Sequence, residues 1–238
     1  MSEAFDRTRM LLGSAAMEKL AASRIAVFGI GGVGGYVVEA LVRSGVGALD
    51  LVDSDKVDIT NLNRQIIATL DTVGTSKVEA ARERAARINP ACIVRTYPVF
   101  FLPETADTFD FSVYDYVVDA VDTVKAKLAI IERAKASGVP VISSMGAGNK
   151  LDPTAFEVAC LEKTSVCPLA KVMRLECRKR GIRNVKVVYS KEPPRQPAAD
   201  TGEVPQGSRR SVPGSAAFVP SAVGLIIASV VVKDLTGV

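Results

Sequence analysis

Residues 24–53 have the sequence RIAVFGIGGVGGYVVEALVRSGVGALDLVD, in which two apolar runs flank a glycine-rich turn and a helical pattern. The first run, Ile25 to Phe28, predicts a β-strand, and apolar residues then recur with helical periodicity from Val33 to Ser44. The second run, Ala48 to Val52, predicts another strand. Because strands joined through a helix run parallel, the stretch predicts a βαβ unit.

This alternation continues along the chain. We expect helices at Thr75–Ile88 and Lys125–Ala136, and strands at Ile93–Val99, Tyr116–Val118 and Val139–Ser143. Further on we expect strands at Phe156–Leu161 and Val185–Tyr189, a basic helix at Lys171–Arg180 and an apolar helix at Ser221–Leu235. The pattern predicts an α/β fold, Rossmann-like and doubly wound, with a mainly parallel sheet, helices on both faces and a C-terminal embellishment. We expect residues 1–238 to form a single domain in which residues 191–215, rich in proline and small polar residues, form a mobile loop.

The composition excludes several kinds of chemistry. The 238 residues include no histidine, which excludes histidine-based acid–base or metal chemistry, and a net charge of +4 permits a nucleic-acid partner without requiring one. The four cysteines form no C-x-x-C pair, so no zinc ribbon is encoded. Scattered cysteines and a charged start without a signal segment favour a cytoplasmic location. The apolar run Ala222–Val232 is too short for a membrane span, and we expect a buried helix.

A glycine-rich turn, GIGGVG, follows the first strand and opens the first helix. Its candidate nucleotide-binding residues are Gly29, Gly31, Gly32, Val33 and Gly34. Glycines let the backbone turn tightly and approach a phosphate, whose charge the helix N-terminal amides stabilise. Asp53 ends the next strand, where a carboxylate can accept hydrogen bonds from ribose hydroxyls. Alone, this pattern predicts an adenine nucleotide, most commonly NAD or FAD.

Three further motifs favour ATP over NAD. NLNRQ contains Arg64, a helix begins near Lys77, and VVDAVD ends a strand at Asp122. The carboxyl ends of strands in a doubly wound sheet converge on one crevice, so these side chains can face one nucleotide. Two cations suit a triphosphate and its pyrophosphate leaving group, and a nearby carboxylate suits magnesium.

Together, these motifs resemble the ubiquitin-activating-like adenylyltransferase superfamily from about Phe5 to Asp122. The resemblance implies that Asp53 binds the ribose, that Arg64 and Lys77 hold phosphates, and that Asp122 positions magnesium and the reacting phosphate.

The same resemblance implies further roles. Asp55, in the sequence Asp53-Ser54-Asp55, and Asn61 would also lie at the nucleotide. Arg7 is similar to an N-terminal arginine that dimers of the superfamily supply across their interface. We therefore expect a homodimer with Arg7 as a catalytic candidate.

Two later segments indicate the branch of the superfamily. GAGNKLDP, residues 146–153, and KTSVCPLAKVMR, residues 163–174, resemble the tRNA threonylcarbamoyladenosine dehydratases, and the resemblance then covers essentially the whole chain. It implies ATP and magnesium as cofactors, and as partner a transfer RNA that carries threonylcarbamoyladenosine. It leaves open a sulfur-trafficking protein partner and a monovalent cation site built from backbone carbonyls.

Several alternatives stay open at this point. The chain can instead activate the C-terminus of a ubiquitin-like or sulfur-carrier protein, although the missing zinc cysteines weigh against this. It can also be a binding module without catalysis, or an NAD oxidoreductase. Cys167 is either an acyl acceptor or a packing residue, and we favour packing for all four cysteines. The basic residues of Lys171–Arg180, and Arg209 and Arg210, either bind tRNA phosphates or are simply solvated.

Overall fold

The protein is described here by a computed structural model that covers residues 3–196 and 213–238. Seven strands form one sheet: β1 (Arg24–Phe28), β2 (Ala48–Val52), β3 (Ile93–Tyr97), β4 (Tyr116–Asp119), β5 (Val141–Ser144), β6 (Phe156–Cys160) and β7 (Lys186–Ser190). Their order is β3-β2-β1-β4-β5-β7-β6, and every neighbouring pair is parallel except β6 and β7. The direction of winding reverses between β1 and β4, which is where ligands bind in sheets of this kind.

Helices cover both faces of the sheet. They are α1 (Asp6–Leu12), α2 (Ser14–Ala22), α3 (Gly34–Arg43), α4 (Lys77–Ile88), α5 (Val124–Ala136), α6 (Pro168–Lys179) and α7 (Phe218–Thr236). Buried residues of α2, α3, α4 and α7 form one core layer, and those of α5 and α6 form the other. Strand β1 contributes side chains to both core layers. Ile25 and Val27 belong to the first layer, and Ala26 and Phe28 belong to the second. The predicted doubly wound, mainly parallel fold is confirmed.

The C-terminal helix differs from its prediction in length. Among the described residues, one helix, α7, is long and apolar enough to cross a membrane. The apolar run Ala222–Val232 is too short for a span, but the whole helix is not, so the length of that run does not exclude a span. Half of it is nevertheless buried inside the protein, with Val223, Ile227 and Val231 fully inaccessible. A Cβ atom at Gly224 would lie only 2.5 Å from the Val33 carbonyl oxygen, so α7 packs directly on α3. These contacts are those of a core helix, as predicted.

Part of one prediction lies outside the described residues. Of the predicted loop 191–215, residues 197–212 are not described, and they include Arg209 and Arg210. The described parts, 191–196 and 213–215, contain neither helix nor strand. The single domain over residues 1–238 stays a prediction.

Candidate active site

The glycine-rich turn between β1 and α3 cannot accommodate side chains at two positions. Gly29 has a φ of +86°, and a Cβ atom there would lie 2.7 Å from the Ala120 carbonyl oxygen. A Cβ atom at Gly34 would lie 1.7 Å from the Gly29 carbonyl oxygen. The N–H groups of residues 31–34 have no protein acceptor among the residues that the structure describes. A turn with free amides at a helix N-terminus is a binding site for phosphate.

Asp53, at the carboxyl end of β2, fixes this turn. Its Oδ2 atom accepts a hydrogen bond of 2.6 Å from the Ile30 N–H, and its Oδ1 atom accepts one of 2.8 Å from the Asp55 N–H. Burial raises the pKa of the Asp53 carboxyl, although Lys77 and the two N–H groups act in the opposite direction. The half-buried carboxylate therefore lies beside the turn, as a ribose-binding acid must.

A cleft of about 460 Å³ opens at the carboxyl ends of β1, β2 and β4. Most of the predicted site residues line it: Gly29, Gly31, Gly32, Val33, Asp53, Asp55, Asn61, Arg64, Lys77 and Asp122. Two predicted residues do not. Gly34 lies under the turn, where its contact with Gly29 requires a glycine, and Arg7 is exposed on α1. The structure thus brings ten of the twelve predicted residues together in one cleft.

Lys77 is the most buried cation of the cleft, with only 7% of its surface exposed. The loop after β2 pairs with the start of α4, through the Lys77 N–H to the Asp55 carbonyl oxygen and the Val57 N–H to the Thr75 carbonyl oxygen. This pairing holds the Lys77 Nζ atom 2.7 Å from Asp55 Oδ2. Since the Asp55 side chain is 63% exposed, an incoming phosphate can replace it as the partner of Lys77.

The segment NLNRQ supplies a second cation. The Arg64 guanidinium donates to the Thr60 carbonyl oxygen at 2.9 Å and to Asn63 Oδ1 at 2.8 Å, which leaves donors free for a phosphate. Asn61 is buried, and its Oδ1 atom accepts a hydrogen bond from the Asp58 N–H. This hydrogen bond caps the start of the short helical turn 59–61, which directly precedes the segment with Arg64.

The turn between β4 and α5 presents Asp122 to solvent. Its carboxylate accepts one hydrogen bond, of 3.2 Å, from Thr123 Oγ1 and is otherwise exposed. The described residues contain no group of three or more potential metal ligands. A single accessible carboxylate fits magnesium that arrives with ATP, because this ion typically takes one or two protein carboxylates beside the phosphates.

Beneath this turn lies an ion pair that the sequence did not indicate. Asp119 and Lys127 are both fully inaccessible, with Lys127 Nζ 3.1 Å from Asp119 Oδ2. The ammonium also donates to the Ser144 carbonyl oxygen at 2.7 Å, and Ser143 Oγ donates to Asp119 Oδ2 at 2.5 Å. The pair therefore ties the ends of β4 and β5 to the second turn of α5.

The cleft also contains residues that the sequence analysis missed. Its apolar wall comes from Val99, Phe100 and Phe101, of which Val99 was taken as the end of a strand. Gln65 is 6% exposed, and its Oε1 atom is buried without a hydrogen-bond partner in the described structure. The motif NLNRQ was the available signal for Gln65.

A further wall comes from two distant segments. Asn149, with a φ of +58°, donates its N–H to the Gly214 carbonyl oxygen and accepts the Gly214 N–H on Oδ1, both at 2.7 Å. This contact places Gly148, Pro213 and Ser215 along the cleft. No local sequence pattern signals such a long-range contact.

None of the cysteines lines the cleft, and none of the four forms a disulfide. Cys167 is 1% exposed at the start of α6, and burial raises the pKa of Cys92 and of Cys177 to about 11. Cys160 differs from the packing prediction, because it is partly exposed and its Sγ atom lies 2.6 Å from Glu162 Oε2.

Cys167→Ala is expected to keep the rate of ATP-dependent turnover within about twofold of wild type, since a buried thiol cannot accept an acyl group. The comparison is with Cys177→Ala, which removes a similarly buried thiol from within α6. Initial rates measured by AMP release check this. A loss of more than tenfold in Cys167→Ala alone, with unchanged urea unfolding, would contradict a packing role.

The fold and the cleft define a doubly wound α/β protein with a phosphate-binding turn and two cations beside it. The chain belongs to the ThiF family, whose model matches residues 5–238. It is 43% identical over 244 residues to the tRNA threonylcarbamoyladenosine dehydratase of Bacillus subtilis, covering 99% of this chain and 95% of that protein. The resemblance predicted from the motifs is confirmed.

Solved structures agree with this assignment. The crystal structure of Escherichia coli tRNA N6-threonylcarbamoyladenosine dehydratase in complex with ATP superposes with a TM-score of 0.89 and 34% identity, covering 99% of this chain and 94% of that chain. The complex of the same enzyme with AMP superposes with a TM-score of 0.88 and 34% identity, covering 99% and 96% of the two chains.

Proposed function

We propose that this protein catalyses the ATP-dependent dehydration of threonylcarbamoyladenosine, next to the anticodon of transfer RNA. The observation that carries the proposal is that one cleft collects a phosphate-binding turn and the side chains of Arg64, Lys77 and Asp122 in a chain similar to such dehydratases over nearly its full length. The protein binds ATP, as the ATP and AMP complexes of its E. coli relative indicate.

The first chemical step joins the threonyl carboxylate to the α-phosphate of ATP. A carboxylate oxygen forms a bond to phosphorus, the bond to the bridging oxygen breaks, and pyrophosphate leaves. Negative charge grows on the phosphate oxygens during this transfer. We propose that Lys77, Arg64 and the free amides of the turn stabilise this charge, and cations held in place before reaction do so effectively.

The second step closes a five-membered ring. The acyl-adenylate is a strong electrophile. An atom of the substrate's own carbamoyl-adenine group attacks its carbonyl carbon, the bond from that carbon to the AMP oxygen breaks, and an N–H proton of the same group is lost to water. One carboxylate oxygen departs with AMP, so that ATP hydrolysis to AMP and pyrophosphate accounts for the removed water. Because the nucleophile belongs to the substrate, it is already close to the carbonyl carbon that it attacks. The step therefore requires neither an enzyme nucleophile nor a histidine.

Magnesium bound with the nucleotide would neutralise phosphate charge and help pyrophosphate leave, and Asp122 is the residue that we propose holds it. Asp53 would fix the ribose through its carboxylate, and Asp55 and Asn61 would complete the nucleotide site. In this proposal Asp122 also orients the reacting phosphate against the glycine-rich turn.

We further propose a homodimer in which Arg7 reaches the cleft of the second copy. Arg7 is exposed on α1 and does not line its own cleft. On the same helix Met10 and Leu11 are 85% and 81% exposed, and adjacent exposed apolar side chains are typical of a surface that a partner covers. Sedimentation of the protein tests this.

The remaining proposals concern location and partners. A cytoplasmic location is supported by a tRNA substrate and by four cysteines without a disulfide. A monovalent cation and a sulfur-trafficking protein partner stay predictions from the resemblance. Turnover in buffers that differ only in the monovalent cation tests the first, and co-purification tests the second.

The direct test uses transfer RNA that carries threonylcarbamoyladenosine, with purified protein, ATP and magnesium. We expect mass spectrometry of the nucleosides to show a product lighter by one water, together with stoichiometric AMP. The control contains α,β-methylene-ATP, which cannot release pyrophosphate at the α-phosphate. An unchanged nucleoside from folded, ATP-binding protein would overturn the proposal, and so would pyrophosphate exchange that requires a small protein with a C-terminal Gly-Gly.

A further inference from the structure

The positive charge of the chain is concentrated on and around α6. Residues 161–184 contain seven lysines and arginines and two glutamates, a net charge of +5, whereas the whole chain has a net charge of +4. The remainder of the molecule therefore carries a net charge of −1. Since long-range electrostatic attraction follows the local excess of charge, this segment is where a polyanion is attracted most strongly.

The structure separates the cations of α6 into two groups. Arg174 is turned inward and donates to the Thr164 carbonyl oxygen at 2.9 Å, so it stabilises the preceding loop. Lys179 and Arg180 form ion pairs with Glu176. Lys171 and Arg178, in contrast, are exposed and have no ion pair within the described part of the chain. These last two are the cations that α6 has free for a partner.

The helix begins close to the cleft. A Cβ atom at Gly146 would lie 3.8 Å from Cys167 Sγ and 3.9 Å from Leu169 Cβ, and Ala147 and Gly148 line the cleft itself. From that point α6 extends over 12 residues, or about 18 Å, toward the amino ends of the parallel strands, where β7 begins. Lys171 lies near the cleft end of this helix and Arg178 near the far end.

We propose that the outer face of α6, defined by Lys171 and Arg178, binds the phosphate backbone of the transfer RNA outside the cleft. The inference rests on the proposed function, because it takes the polyanion to be the tRNA substrate. The cleft holds about 460 Å³, which is of the size of one small-molecule ligand, so the body of the tRNA must lie on the outer surface. Phosphate contacts of this kind position a nucleic acid and contribute salt-dependent affinity.

The test compares two double variants by fluorescence anisotropy with threonylcarbamoyladenosine-containing tRNA over a range of salt concentrations. Lys171→Gln/Arg178→Gln removes the two cations from α6. The control, Lys19→Gln/Arg87→Gln, removes the same charge from α2 and α4 on the opposite layer, where both side chains are exposed and unpaired within the described structure. Thermal unfolding and ATP binding verify that both variants are folded.

We expect the α6 variant to bind tRNA about tenfold more weakly and to lower the slope of log Kd against log salt by about 2, one for each lost phosphate contact. The control is expected to keep the wild-type slope. Equal slopes in the two variants, with a wild-type protein that binds and dehydrates tRNA, would overturn the inference alone. Such a result would favour a protein partner for the outer face of α6, where the apolar side chains of Val172 and Leu175 are also exposed. A wild-type protein without turnover would instead refute the proposed function.

Discussion

Lys127→Met is expected to lower the free energy of unfolding by about 3–5 kcal/mol, which is the usual cost of removing one partner of a buried ion pair. Lys127 and Asp119 are both fully inaccessible, so the variant would leave the Asp119 carboxylate without its cation and without water. It would also leave the Ser144 carbonyl oxygen without the donor that now lies at 2.7 Å. For a chain of this size, such a loss lowers Tm by roughly 6–20 °C. Urea unfolding is the appropriate measurement, because urea does not screen charges.

Two further variants isolate the cause. Lys125→Met makes the same substitution two residues earlier on α5 at an exposed position, and we expect a change within about 0.5 kcal/mol. Asp119→Asn/Lys127→Met removes both charges and should recover most of the lost stability, because replacing a whole buried pair is often close to neutral. If Lys127→Met lowered the free energy of unfolding by less than about 1 kcal/mol, the buried Asp119 carboxylate would not require Lys127 for its stabilisation.

Much of the sheet follows from local sequence, because its central strands are apolar on both faces. The runs at Ile25, Ala48 and Tyr116 begin or end within one residue of the observed strands. Helices α1 and α2 were not predicted. In α1 no residue is buried, so there is no apolar stripe to produce helical periodicity. The start of α7 was placed three residues too late, at Ser221, because a proline rarely lies inside a helix, whereas Pro220 occupies the first turn of α7, where its missing N–H has no intrahelical acceptor to lose.

The sequence predicted the site residues that lie just after the carboxyl ends of strands. Asp53 follows β2 directly and Asp122 lies three residues after β4, and parallel topology alone brings them together. The burial of Lys127 was not predictable, since a lysine in a helix is normally solvated and only the tertiary structure encloses it. Asn149 and Gly214 meet through a contact between distant segments, which no spacing in the sequence encodes.

Lys77→Met is expected to slow acyl-adenylate formation by about 100- to 1000-fold, the usual effect of removing one fixed group that stabilises charge in a transition state. Lys77 is the buried cation of the cleft, and its Nζ atom is held 2.7 Å from Asp55. Methionine keeps the length and apolar stem of the side chain, so it removes the charge with little change in packing. Because Asp55 is 63% exposed, water can hydrate it in the variant, and the free energy of unfolding should change by less than about 1 kcal/mol.

A matched substitution tests whether the loss of rate depends on where the positive charge is removed. Lys56→Met removes the same charge from an exposed site in the loop that pairs with the start of α4, and Lys56 does not line the cleft. We expect its rate of AMP and pyrophosphate release, measured in a single turnover, to stay within about twofold of wild type. Equal rates for Lys77→Met and Lys56→Met would remove Lys77 from the phosphate site. A large loss confined to Lys77→Met, with unchanged unfolding, would mean that the charge of Lys77 acts in the reaction and is not needed to hold the fold together.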